Sequence, residues 1–112
     1  MNNLRNISPI DGRYASKTKV LQDYFSEFSL IKYRVKVEIE YLIALSNLKE
    51  LNFFLTKNQT EELRKIYIDF DIDDAKRIKE IEKETNHDVK SVEIFMREVF
   101  EKIKLSKYKE YI

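Results

Sequence analysis

Glycine and proline occur once each in this 112-residue chain, and both fall inside Ser8-Pro9-Ile10-Asp11-Gly12-Arg13. No other feature constrains the fold as much. Proline fixes its own φ and glycine reaches dihedrals costly for other residues, so residues 8–13 predict a shaped loop near the N-terminus. The ninety-nine residues that follow contain neither breaker. A multi-turn β architecture needs such residues repeatedly, whereas helices joined by short polar loops, such as 56–60 and 69–74, do not. An all-α fold is therefore expected.

Apolar spacing divides the chain into five candidate helices. Leu21, Phe25 and Phe28 predict a short one over about 17–28. Ser29 then reads as the N-cap of a longer helix over 30–48, roughly 28 Å at 1.5 Å per residue. It carries two adjacent apolar rows, Ile31, Val35, Leu42, Leu45 and Val37, Tyr41, Ala44, Leu48, a stripe wide enough to be buried on more than one side. Within it, Val35-Lys36-Val37-Glu38-Ile39-Glu40-Tyr41 alternates as a half-buried strand would. Helix is preferred because 30–48 holds no turn signal and would be too long for an ordinary strand. A third helix is expected over 59–69, capped by Thr60 or Asn58, with two glutamates in its first turn. Asp73 and Asp74 open a fourth, with Ala75, Ile78 and Ile81 inward and a charged, self-pairing outer face. Val89, Val92, Met96, Val99 and Ile103 mark the fifth, ending near Leu105.

Composition narrows the function classes. The chain is sized for one domain with one core. Twenty-one Lys and Arg against 20 Asp and Glu leave a net charge of +1 with no like-charge block, which argues against a nucleic-acid partner. Zero cysteines remove disulfide frameworks and thiolate metal sites, and a single histidine removes multi-histidine ones. No apolar run approaches the ~18 residues a spanning helix requires, so no membrane role is expected. A soluble, cytoplasmic protein is the expectation.

Three places could carry chemistry. Asp11-Gly12-Arg13-Tyr14 offers a planar guanidinium fork for a carboxylate or phosphate, with an aromatic face and a hydroxyl beside it. A solvated arginine after a turn is the alternative. Thr85-Asn86-His87-Asp88 falls between two helices, where Asn or Asp would cap and free amides attract anions, so His87 could meet a phosphate or carboxylate. The alternative is a capping segment with an incidental histidine. Glu38 lies on the apolar stripe. If buried, it needs a partner such as Arg34 or Arg77, and otherwise it is a rim position with a wet carboxylate.

Four stretches together carry a resemblance: Ser8-Pro9-Ile10-Asp11-Gly12-Arg13-Tyr14, Tyr33-Arg34-Val35-Lys36-Val37-Glu38, residues 74–82, and Thr85-Asn86-His87-Asp88-Val89-Lys90-Ser91-Val92-Glu93. In order and spacing the chain resembles the N-terminal region of bacterial-type adenylosuccinate lyases, of the fumarase and aspartase superfamily. The resemblance implies that 1–112 is the helical N-terminal domain, truncated before the central helical bundle and the C-terminal domain. It implies an enzyme that eliminates fumarate from adenylosuccinate, giving AMP, and from succinylaminoimidazole carboxamide ribotide. No cofactor or metal is implied, and a homotetramer is the expected assembly. Arg13, Tyr14, Asn86, His87 and Asp88 would bind the nucleotide substrate. The catalytic serine and general-acid histidine of those enzymes would lie beyond residue 112. A sibling fumarate-releasing lyase with another succinyl substrate, or a non-catalytic helical interaction module, are the competing readings.

Overall fold

The computed structural model describes residues 2–112, with side chains from Leu4 onward, and 75% of it is helical, with no strand among the described residues. It comprises two compact units, one ending at Leu30 and the other spanning Ile31–Ile112.

In the first unit the loop is held by its own polar groups. The Pro9 carbonyl accepts the Gly12 and Tyr14 amides, and Asp11 Oδ1 accepts the Ser8 amide at 3.0 Å. Gly12 is buried but has no positive φ, so its lack of a side chain matters here and its left-handed freedom does not. The left-handed positions are instead Asn52, Asn86 and Lys104. The helix expected over 17–28 is broken into α1 (Ala15–Thr18), a 3-10 turn and α2 (Gln22–Phe25), ended by Ser26 with ψ 158°. Leu21 and Phe25 are exposed, and Phe28 is half-buried. Ser26, not Ser29, opens the long helix α3 (Glu27–Leu45), since its Oγ accepts the Ser29 amide at 3.1 Å. Ser29 faces back, donating its hydroxyl to the Gln22 carbonyl at 2.6 Å.

The second unit holds the whole apolar core among the described residues. Its α3 portion settles the strand ambiguity physically. Val35 and Ile39 are fully buried while Val37 and Tyr41 are 65% and 59% exposed, a split that a helix produces and a strand, with all four on one face, cannot. The second apolar row is therefore not buried. Val37, Tyr41, Ala44 and Leu48 face outward, and α3 stops at Leu45 rather than 48. After α4 (Lys57–Ile68) come α5 (Ile72–Thr85) and α6 (Asp88–Lys102). Ala75, Ile78 and Ile81 of α5 face inward as expected, while α6 contributes Val92 and Met96 together with Phe95 and Phe100. Val89 is 40% exposed. Each fully buried aliphatic or aromatic side chain contributes about 1.5–3 kcal/mol. Phe70 of the preceding loop meets Phe95 edge-on, with ring centroids 6.0 Å apart. The chain end docks through aromatics, Tyr108 donating to the Phe54 carbonyl at 3.0 Å and Tyr111 stacking on Phe53.

Two bidentate arginines tie helices together. Arg64 of α4 grips Glu40 of α3 at 3.0 and 3.2 Å, and Arg77 of α5 grips Glu98 of α6 at 3.1 and 2.6 Å. Both carboxyls are held below the ordinary glutamate range, first by those hydrogen bonds.

Capping residues differ from expectation. Thr56 caps α4 in a capping box with Gln59, displacing Thr60 and Asn58, which lie inside the helix. Asp71 caps α5 in a box with Asp74. Thr56→Ala is expected to lower unfolding free energy by about 1 kcal/mol in urea titrations, whereas Asn58→Ala changes it by less than about 0.5 kcal/mol. Equal losses at both positions would contradict this capping register.

Candidate functional site

Arg13 and Tyr14 sit at the end of the N-terminal loop, where Tyr14 precedes the first residue of α1. The Tyr14 amide bond to Pro9 fixes the backbone at 2.9 Å. Both side chains are exposed, and the Arg13 guanidinium lies 4.8 Å from the Tyr14 ring centroid. Among the described residues Arg13 makes no ion pair, so it is a positioned cation with open valence. The same unit holds a shallow hollow of about 340 Å³ between the loop and α2, lined mainly by apolar groups such as Ile10, Leu21 and Phe25. Arg13 and Tyr14 are not among its walls.

Asn86, His87 and Asp88 occupy the turn between α5 and α6 in the second unit. Asn86 takes the left-handed conformation, φ 53°, that ends α5, a geometry asparagine tolerates better than most residues. His87 is extended and is itself the N-cap of α6, a role the sequence reading gave to Asn or Asp. Its Nδ1 accepts the Lys90 amide at 3.1 Å. Two hydroxyls secure its backbone. Thr85 Oγ1 accepts the His87 amide at 3.2 Å, and the fully buried Ser91 donates to the His87 carbonyl at 2.6 Å. Asp88 is held at both oxygens, with Oδ1 accepting the Val89 amide at 2.8 Å and Oδ2 lying 3.3 Å from Arg34 Nη2.

Arg34 and Ser91 are thus parts of this turn outside the 85–88 segment marked from sequence, and Thr85, inside that segment, had been given no role of its own. The hydroxyl pair had a legible signal, since Thr85 stands two residues before His87 and Ser91 one helical turn after it. Arg34 had none, because its partner lies 54 positions away. All three segment residues are exposed at a helix N-terminus where the Val89 and Lys90 amides are already taken by Asp88 and His87, so a ligand would meet the polar side chains and not the free amides the sequence suggested. No group of metal-ligating side chains occurs among the described residues.

Glu38 is half-buried and makes no ion pair among the described residues, Arg34 and Arg77 being committed elsewhere. Burial, then the nearby Glu93 charge, pushes its carboxyl above the ordinary value. A raised carboxyl favours folding below the ordinary carboxylate range, and that contribution is lost as pH rises through the folded value. Glu38→Gln should therefore stabilise the chain at neutral pH, by about 0.5 kcal/mol after solvent screening, and give no gain under acid conditions where Glu38 is protonated. Thermal melts at the two conditions check the sign.

No family model matches the chain. Curated relatives do, among them several named adenylosuccinate lyase. The Dictyostelium discoideum enzyme is 55% identical over 101 residues, covering 88% of this chain and 22% of that protein. The enzyme of Buchnera aphidicola from Schizaphis graminum is 44% identical over 115 residues, covering all of this chain and 25% of its own length. The Escherichia coli enzyme is 43% identical over 101 residues, covering 88% and 22%. The chain spans about a quarter of the length of the curated relatives it matches. No described helix is long and apolar enough to cross a membrane. Helical throughout, with the resembling stretches in order, the chain is homologous over its whole length to adenylosuccinate lyases of the fumarase and aspartase superfamily.

Proposed function

We propose that this chain supplies part of the substrate pocket of an adenylosuccinate lyase, releasing fumarate from adenylosuccinate to leave AMP and from succinylaminoimidazole carboxamide ribotide in purine synthesis. The observation that carries this reading is identity of 42–55% to such enzymes over 81–100% of the chain. In the proposed reaction a proton leaves the carbon beside one carboxylate, and the resulting electron pair forms the carbon–carbon double bond of fumarate. The carbon–nitrogen bond breaks, and its electron pair is protonated on the departing nitrogen. Charge accumulates before the bond breaks, so fixed donors lower the barrier.

Arg13, Tyr14, Asn86, His87 and Asp88 are the proposed substrate-binding residues. The open donors of Arg13 suit a phosphate or carboxylate, and the braced turn at 86–88 suits hydrogen bonding to the anionic substrate. None of these residues is assigned the main proton transfer, and the chemistry proposed calls on no cofactor. Residues 1–112 are read as the helical N-terminal domain of a cytoplasmic homotetramer whose further domains supply the acid and base. The test is a chimera in which this chain replaces the matching segment of the Escherichia coli enzyme. Fumarate release from adenylosuccinate is expected. A folded chimera that cleaves a different succinyl compound and not adenylosuccinate would transfer the reading to a sibling lyase.

A further inference from the structure

His87 is the one histidine in the sequence, and one of its two ring nitrogens is already spent. Nδ1 accepts the Lys90 amide, which requires that Nδ1 carry no proton, so in the neutral ring the proton must reside on Nε2. The ring is exposed, and nothing among the described residues pairs with Nε2. The cap is not a loose contact. Thr85 and Ser91 hold the His87 amide and carbonyl, and the left-handed Asn86 sets the direction from which the chain enters α6.

We infer that helix capping locks His87 as the Nε2–H tautomer, so that the turn at 86–88 offers a ligand a histidine hydrogen-bond donor and no histidine acceptor. The consequence for substrate rests on the proposed function: His87 discriminates in favour of acceptor groups, carboxylate or phosphate oxygen, at the position its Nε2 faces. Capping does two jobs at one residue here, and substitution can separate them. Asparagine is a strong N-cap acceptor but is too short to place a donor where Nε2 lies. Glutamine can place an amide N–H there but caps poorly.

The test needs no activity, so it is independent of the lyase reading. With 15N-labelled histidine, long-range proton–nitrogen correlation of the neutral side chain reports which nitrogen is protonated, without interference from any other histidine. The folded chain is expected to show the Nε2–H form in clear excess over the same chain unfolded in urea. Equal tautomer populations in the two states, or a folded majority of Nδ1–H, would overturn the inference. In thermal melts His87→Asn should match or exceed the parent, while His87→Gln should melt about 4–8 °C lower, as loss of a cap in a small domain predicts. A reversed order of the two variants would also overturn it.

Discussion

The purified 112-residue chain is expected to leave adenylosuccinate intact. The proposed function assigns proton exchange with substrate to a serine and a histidine that are not among residues 1–112. Positioned acid and base groups each contribute about 10²–10⁴ in rate, so a chain without them should fall below detection rather than merely slow down. What remains can orient an anion, and orientation without proton transfer does not break a carbon–nitrogen bond. The measurement is fumarate formation at high protein concentration, against a mock preparation taken through the same purification. Turnover above the mock would mean that the chain contains its own acid and base. His87, the one histidine in the sequence, would then become the first suspect.

The second large effect concerns Arg13 in the chimeric enzyme. Its guanidinium lies over the exposed Tyr14 ring and makes no ion pair within the described residues, so truncation leaves no buried partner behind and should cost little stability. If its donors meet an anionic group of the substrate, Arg13→Ala should lose about 1.5–3 kcal/mol of binding, a fall of roughly tenfold to 150-fold in kcat/KM. Arg13→Lys should recover only part of it, because a point charge replaces the planar fork. His87 supplies the contrast. His87→Ala should lower turnover, and His87→Gln should retain more activity than Ala with the main pH limbs unchanged, since a hydrogen bond and not a proton transfer is assigned to it. Kinetics against pH, with melts to exclude unfolding, separate the cases. If a pH limb vanished with both His87 variants, His87 would be an acid or base. If Arg13→Ala were silent in a folded enzyme, the N-terminal loop would be structural only.

Much of this protein follows from local sequence. The absence of glycine and proline after residue 13 favoured helices, and the inward face of α5 could be read from gaps of three, whereas on α6 the spacing found Val92 and Met96 but missed Phe95 and Phe100 and took the exposed Val89 as inward. The N-terminal loop and the turn between α5 and α6 were legible for a related reason. A loop built from Ser8, Pro9 and Asp11, and a turn built from Thr85, Asn86 and His87, are defined by hydrogen bonds between near neighbours.

What escaped the sequence depended on partners far along the chain or on close competition between neighbours. Ser26, Thr56 and His87 won their capping positions over Ser29, Asn58 and Asp88 because capping energies of about 1 kcal/mol are too similar for local preference to separate. Arg34 could have served Glu38 one turn away. Only the arrival of α6 brings Asp88 within 3.3 Å and leaves Glu38 without an ion pair among the described residues. The sequence offered two adjacent apolar rows on α3, yet Ile31, Val35 and Leu42 of one are buried while Val37, Tyr41, Ala44 and Leu48 of the other face outward. Hydrophobicity states how favourable burial would be, but the surfaces that bury the Val35 row come from helices whose contacts form only when the chain closes on itself.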